Sequence, residues 1–197
     1  MNVIGFVHGV PAMKTSELTM TIADWEAIPE DGNKYELIEG EILVSRAPGW
    51  KHQRAVHYLQ HGLELYLAQN PIGVLAPGPG LIFDNFNGVI PDLVFVSNDR
   101  LDGIILNDRL MAAPDIVLEV LSPGNPNQTR DRKLKRQLYA RFGVKEYWIA
   151  DPANRLIEIY SLVEDVLVLV ATFSGNDKIT SSVLPDLELK ITDVFRS

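Results

Sequence analysis

The chain has 197 residues, of which 46% are hydrophobic and 22% charged, so it is long enough for one globular domain with a substantial core. It contains no cysteine, which excludes a disulfide framework and a thiolate metal site and is compatible with a reducing cytoplasm, the location we expect. No apolar run approaches the roughly 20 residues of a membrane-spanning helix, so no contact with a membrane is expected. The net charge of −8 argues against a general nucleic-acid coat, so any contact with phosphate must come from a local basic patch.

Residues 1–20 are interpreted as an N-terminal leader, or as an added first strand, because this mildly apolar stretch lacks the basic region that opens a signal peptide. Residues 21–197 then form a single domain. At its start, Thr21 is expected to cap a short helix, with Asp24 at the third helical position completing a capping box.

Residues 35–45 are predicted to form two short strands hinged at Gly40. Side chains alternate along a strand, so Tyr35 and Leu37 share one face and Glu36 lies on the other. Glu36 could therefore point inward. The alternative is that it is a solvated carboxylate at the sheet edge.

Residues 51–69 read as the first long helix, because apolar side chains recur at helical spacing and form a core stripe. The stripe consists of Val56, Leu59, Leu63 and Leu67. His52 lies in the first turn and either joins a site near Glu36 or caps the helix at the surface. His57 and His61 are four residues apart but have no third ligand in sight, so they are interpreted as structural.

The next segment is predicted to contain strands over residues 73–76 and 81–83, a hairpin loop over 84–88 and a returning strand over 89–96. Pro91 inside the returning strand implies an edge or a bulge at that point. Such an irregularity can direct the next side chain, Asp92, towards a cleft.

Residues 115–121, DIVLEVL, are predicted to form a strand buried on both faces. Glu119 lies inside this strand, where an ionised carboxylate is costly unless something pairs with it. A loop rich in Pro, Gly and Asn follows, and residues 129–142 then form a basic helix with Gly143 at the position that favours glycine after a helix.

The remaining chain is predicted to form a strand over residues 145–150, a second hairpin over 156–160 and 166–173, and an extended tail over 183–195. This order of elements favours an α/β layer in which helices flank a mixed β-sheet.

Asp92 and Glu119 come from strands expected to be neighbours, about 4.8 Å apart, which suits two carboxylates that share one Mg²⁺ or Mn²⁺ ion. The cation would neutralise the buried Glu119. Lys135 on the following helix could reach the phosphate, or lose a proton and orient the attacking water. The alternative is a buried structural ion pair between Glu119 and Lys135, without catalysis.

The helix after Glu119 carries six of the eighteen Lys and Arg residues and gives an acidic protein one positive face. These residues are Arg130, Arg132, Lys133, Lys135, Arg136 and Arg141. We expect the nucleic-acid backbone to contact four of them, Arg130, Arg132, Lys133 and Arg136.

Six blocks of the sequence occur in the order seen in a known family: YELIEGE, KHQRAV, PDLVFV, APDIVLEVLSP, KRQLYARFGVKEYWIADP and LPDLELKITDVF. Over residues 20–195 the chain thereby resembles the Uma family of restriction endonucleases, which belongs to the PD-(D/E)xK restriction-endonuclease-like superfamily. The resemblance implies a restriction-endonuclease-like mixed β-sheet flanked by helices, here with extra hairpins. It also implies metal-dependent hydrolysis of phosphodiester bonds.

By position, Asp92 and Glu119 match the two acids of the family motif. The chain departs from the plain superfamily pattern, because the lysine position after Glu119 holds Leu121. The resemblance implies that the lysine has moved to the next helix, where Lys135 occupies that position. The backbone carbonyl of Val120 would then be a further metal ligand.

Glu36 and His52 match the family's other polar positions and are expected to support catalysis. The resulting prediction is a magnesium- or manganese-dependent endonuclease that acts on nucleic acid, with DNA as the expected substrate. The alternatives are a non-catalytic nucleic-acid-binding protein of a defence system or mobile element, built on a nuclease-like fold, and a hydrolase of small phosphorylated molecules. A homodimer is expected, because cleavage of both strands of a duplex favours two-fold symmetry.

Overall fold

The computed structural model describes residues 19–122 and 128–196, and describes residues 128–131 by their backbone alone. The leader expected over residues 1–20 thus lies outside the described residues, apart from Thr19 and Met20. The described helices are, in chain order, α1 (Ile22–Glu26), α2 (Trp50–Gln69), α3 (Leu101–Ile104), α4 (Gln128–Arg141) and α5 (Ile191–Val194). Within these ranges no helix combines the length and apolar character needed to cross a membrane.

The strands form two large mixed sheets and one small one. In chain order the described strands are β1 (Lys34–Ile38), β2 (Glu41–Ser45), β3 (Gly73–Pro77), β4 (Leu81–Asp84), β5 (Asn87–Val89), β6 (Leu93–Ser97), β7 (Ile105–Leu106), β8 (Arg109–Leu110), β9 (Ile116–Val120), β10 (Glu146–Asp151), β11 (Leu156–Val163), β12 (Val166–Ser174), β13 (Lys178–Ile179) and β14 (Leu189–Lys190). The first sheet has the spatial order β2-β1-β5-β4-β8-β7, the second β12-β11-β10-β9-β6-β3, and β13 pairs with β14.

Strand β9 lies in the middle of the second sheet, antiparallel to β6 and parallel to β10. The parallel pair is joined by α4, because parallel neighbours need a crossover connection. All five residues of β9 are buried, as predicted for a strand covered on both faces. Leu59 and Leu63 of α2 cover one face, and Leu138 and Tyr139 of α4 pack on the other.

One strand prediction was wrong: residues 89–96 do not form a single strand. β5 ends at Val89 in the first sheet, and β6 begins at Leu93 in the second. Pro91, which has no amide hydrogen to donate, lies in the link between the two sheets. The change of sheet places Asp92 directly before β6.

Three local predictions are confirmed. Thr21 and Asp24 form the predicted capping box at the start of α1. Glu39 and Gly40 both have positive φ, at 54° and 76°, which is the backbone of a tight two-residue hairpin between β1 and β2. Gly143 follows α4 with φ of 83°, the left-handed conformation common after a helix.

Candidate active site

The structure brings the five predicted catalytic side chains together at the carboxyl end of β9. They come from the two sheets and from both long helices, and they are Glu36, His52, Asp92, Glu119 and Lys135. Each of them except Asp92 is buried, and Asp92 is half-buried.

Lys135 is the centre of this cluster. Its Nζ donates to Oε1 of Glu119 at 2.8 Å, and it lies 2.9 Å from Oε1 and 2.8 Å from Oε2 of Glu36. Burial by itself lowers the pKa of a lysine, but the charges of Glu119 and Glu36 prevail and raise the pKa of Lys135 well above its ordinary value. Lys135 is therefore an ammonium ion in this arrangement.

Glu119 is the least compensated acid of the cluster. The same Oε1 that contacts Lys135 also accepts a hydrogen bond from the Tyr139 hydroxyl at 2.9 Å. Burial raises the pKa of Glu119, and the charges of Asp92 and Glu36 act in the same direction, while the Lys135 ammonium opposes them. The Lys34 ammonium opposes the rise as well, and the net shift is upward because burial, its largest cause, prevails.

Glu36 points inward, which is one of the two alternatives that the sequence left open, and is 6% exposed. It is therefore not a solvated edge carboxylate. Its Oε1 accepts a hydrogen bond from the backbone amide of Ile90 at 3.0 Å and lies 3.6 Å from Nζ of Lys34. Burial favours the neutral acid, but the charges of Lys135 and Lys34 outweigh it and lower the pKa of Glu36.

Asp92 completes the hydrogen bonding at the end of β9. The β6–β9 ladder reaches Leu118, and Oδ2 of Asp92 accepts from the amide of Val120, two residues further on, at 2.7 Å. The same oxygen lies 3.1 Å from Nε2 of His52. Burial favours the neutral acid, but the hydrogen bond from His52 and the charge of Lys34 lower the pKa of Asp92. In the described part of the chain, Nδ1 of His52 is buried without a hydrogen-bond partner.

Two neighbours of the cluster were not predicted as site residues, although the sequence carries a signal for each. Lys34 lies two residues before Glu36 on the same strand, so both side chains share a face. Tyr139 lies four residues after Lys135, one turn along the same helix face.

The donor set fits a magnesium or manganese ion that is bound in part by substrate and water. Among the described residues, no three His, Cys, Asp or Glu side chains are arranged to hold a metal ion by themselves. Mg²⁺ commonly uses one or two carboxylates, with water and phosphate completing its shell. Asp92 and Glu119 are close enough for the charge of one to raise the pKa of the other, and a cation between them would relieve this repulsion.

The basic residues predicted to contact nucleic acid lie on α4. Arg132 forms an ion pair with Glu158, and the Arg136 guanidinium lies 5.2 Å from the centroid of a tyrosine ring of β11. Lys133 is exposed, and the side chain of Arg130 lies outside the described residues. The role of these four residues stays a prediction.

Comparison with known families places the chain among nuclease-like proteins. A family model, Uma2, described as "Putative restriction endonuclease", matches residues 22–192. The chain belongs to the Uma2 family. The recognition made from the six sequence blocks is thereby confirmed.

A solved structure supports the same fold for this Uma2 protein. It is a crystal structure titled as a putative nuclease belonging to DUF820 from Anabaena variabilis ATCC 29413, and it is 22% identical to this chain. The two superpose with a TM-score of 0.73 over 89% of this chain and 97% of that chain. None of the curated proteins matches this chain. The likeness confirms the predicted mixed α/β fold of the nuclease type.

Proposed function

We propose that this Uma2 protein is a divalent-metal-dependent nuclease that hydrolyses phosphodiester bonds of nucleic acid. The observation that carries the proposal is the convergence of Asp92, Glu119 and Lys135, from three elements of the fold, at one end of β9. Two acids and an ammonium ion at one place match what phosphodiester hydrolysis needs, a metal-binding pair and a positive charge near the phosphate. The family and the fold support the same class of reaction.

We assign metal binding to the carboxylates of Asp92 and Glu119 and to the backbone carbonyl of Val120. A bound Mg²⁺ or Mn²⁺ would polarise the phosphate and lower the pKa of a bound water molecule. The hydrogen bond from the Val120 amide and the contact with His52 fix the orientation of Asp92, so this carboxylate needs little rearrangement to bind a cation.

Lys135 supplies the positive charge that the reaction requires. Held as an ammonium ion by its neighbours, it can stabilise the charge that develops on the phosphate oxygens in the transition state. Both carboxylate oxygens of Glu36 contact Lys135. The Tyr139 hydroxyl donates a hydrogen bond to Glu119 and so helps to orient that carboxylate. These contacts make Glu36 and Tyr139 positioning residues.

One observation favours the alternative, a nucleic-acid-binding protein without catalysis. Lys135 already pairs with both Glu36 and Glu119, and such a buried ion pair can exist as a structural element that needs no metal. The two proposals agree on the fold and on the nucleic-acid partner. Metal binding and cleavage separate them.

Calorimetry with magnesium and manganese tests the proposal. We expect binding by the wild type in the presence of a phosphorothioate oligonucleotide, loss of that binding in Glu119→Gln, and no change in Glu188→Gln, whose side chain is exposed on β13–β14. Asp92→Asn should abolish metal-dependent cleavage and leave the fold intact. A folded wild type that binds neither metal under these conditions would establish the non-catalytic alternative.

We also propose that the protein forms a homodimer through strand β12. This strand is the outer edge of the second sheet, and Val166, Val168 and Val170 on it are 60%, 45% and 56% exposed. No charged residue occurs over 166–174, so the strand carries no charge of its own to oppose pairing with another strand. A second copy related by a two-fold axis would cover it with its own β12.

Sedimentation equilibrium tests this interface. Val168→Lys should give a monomer, whereas Val44→Lys, at a 58% exposed position on β2, should remain dimeric. A monomeric wild type, or a dimer that survives Val168→Lys, would exclude β12 as the interface.

A further inference from the structure

The outer face of the first three turns of α2 carries a row of aromatic and basic side chains, here named the α2 track. It consists of Trp50, Lys51, Arg54 and Tyr58. Trp50 is 77% exposed. The guanidinium of Arg54 lies 5.7 Å from the Trp50 ring centroid and 4.5 Å from the Tyr58 ring centroid. Spacing by four residues places these three side chains on one face of the helix.

The cations of the track have no acidic neighbours close by in the sequence. Residues 42–63 contain no Asp or Glu, although the chain has 26 acidic residues. Within the described part of the chain, neither Lys51 nor Arg54 forms an ion pair with a carboxylate. On α4, by contrast, Arg132 and Lys135 each contact at least one glutamate.

The track begins in the helical turn that also carries His52, and it has a defined end. Trp50 lies in the same helical turn as His52, which contacts Asp92. Beyond Tyr58, a groove of about 350 Å³ between α2 and the tail is lined in part by carboxylates. These are Asp186, Glu188 and Asp193. They would repel phosphate, so a path for a polyanion along α2 ends near Tyr58.

We propose that the α2 track binds a single-stranded segment of the nucleic-acid substrate. A base would stack on Trp50, and the phosphates would pair with Lys51 and with Arg54, whose guanidinium packs on the Tyr58 ring. Alternating aromatic rings and cations are how proteins bind single strands without sequence preference. A duplex keeps its bases stacked on one another, so the exposed ring of Trp50 favours an unpaired strand. The inference deepens the proposed nuclease function by naming how the substrate is held.

Binding of a labelled oligothymidylate of about 12 nucleotides, followed by anisotropy in EDTA, tests the track without cleavage. Trp50→Ala should weaken binding about tenfold through lost stacking. Phe86→Ala, which removes a 43% exposed ring from the β4–β5 turn, should bind like the wild type. EDTA removes divalent metal ions, so this assay measures binding alone. Its result therefore holds even if the protein does not cleave nucleic acid. Equal binding by both variants and the wild type would overturn the proposal, as would a wild type that does not bind.

The salt dependence of binding tests the contact with phosphate. Arg54→Gln should reduce the slope of log affinity against log salt by about 0.7, the value for one phosphate contact of a single strand. Arg109→Gln is the matched control, because Arg109 also lies over a tryptophan, 5.9 Å from the Trp25 ring centroid, but pairs with Glu26. An unchanged slope in Arg54→Gln would remove Arg54 from the track.

Tryptophan fluorescence reports on the track directly. Of the three tryptophans, Trp25 and Trp148 are 7% and 0% exposed, so a base can stack only on Trp50. Oligothymidylate should quench the wild-type emission. In Trp50→Phe the quenching should disappear while anisotropy still detects binding, because phenylalanine retains a ring for stacking. Saturating binding without quenching in the wild type would overturn the proposal.

Discussion

Two buried acids on the same strand have opposite surroundings. Asp115 directly precedes β9 and is 0% exposed, whereas Glu119 lies near its end and is 8% exposed. The Asp115 carboxylate accepts hydrogen bonds from the amide and hydroxyl of Ser97 at 2.8 and 2.9 Å, and it contacts Arg100 at 2.9 Å and Lys145 at 2.7 Å. Burial alone would raise the pKa of Asp115, but these partners lower it to about 2.

Glu119 has a cation too, but it shares Lys135 with Glu36 and faces the charge of Asp92. One carboxylate with two cations is a stable structural anchor, and its pKa falls. Burial is the largest cause that raises the pKa of Glu119, and the carboxylates of Asp92 and Glu36 offset part of what the ammonium groups of Lys135 and Lys34 contribute. The number of donors and cations that offset burial, not the presence of an ion pair, therefore distinguishes the structural cluster at Asp115 from the candidate active site at Glu119.

The sharpest test of this contrast removes each charge in turn. Glu119→Gln should lower metal-dependent cleavage by roughly 10³-fold or more, the scale seen when a preorganised catalytic group is lost. Asp115→Asn should leave the cleavage rate of the folded protein within a few-fold of wild type. The measurement is the cleavage rate of both variants on the same oligonucleotide. Circular dichroism verifies that both variants are folded. Similar losses in the two variants would mean that the charge balance has no functional meaning.

Within the basic helix, we expect Lys135→Ala to reduce turnover about 100-fold, because it removes the only ammonium that contacts Glu119 in the described structure. Lys133→Ala is the matched control, since Lys133 is exposed two residues away on the same helix. Its effect should be confined to a weaker affinity and a shallower salt dependence. Should the two variants behave alike in single-turnover assays, Lys135 is only part of the basic surface.

The smallest expected effect is on stability. Asp115→Asn should lower the free energy of unfolding by about 2 kcal/mol at pH 7, the size that the lowered pKa of Asp115 implies. The folded-state pKa lies below the ordinary value, so this stability is present above pH 4 and is lost as the pH falls towards 2.

Urea unfolding at several pH values measures this effect. The difference between wild type and Asp115→Asn should be largest at neutral pH and should shrink below pH 4. Asp193→Asn, whose side chain is 45% exposed in its pair with Arg196, should change stability by less than about 0.5 kcal/mol. A difference for Asp115→Asn that is independent of pH would assign the lost stability to packing and not to charge.

Local patterns predicted much of the fold and most of the candidate site. The alternation along β1 allowed Glu36 to point inward, and the apolar run around Glu119 predicted a strand buried on both faces. The division of residues 89–96 between two sheets was not predicted, because Pro91 fits a bulge in one sheet as well as a change of sheet. Choosing between the two depends on strand partners far away in the chain.

The sequence by itself predicted the long helices, most strands and the candidate acids, because periodicity and residue type report on local backbone and burial, and its six ordered blocks gave the family. Only the tertiary structure decided that Lys135 pairs with Glu36, 99 residues away, and that Asp92 bonds the amide of Val120, 28 residues away. Only the tertiary structure, likewise, gave Asp115 two cations and left Glu119 to share one. Charge balance around a buried acid is set by which elements pack together, and no local pattern in the chain encodes that packing.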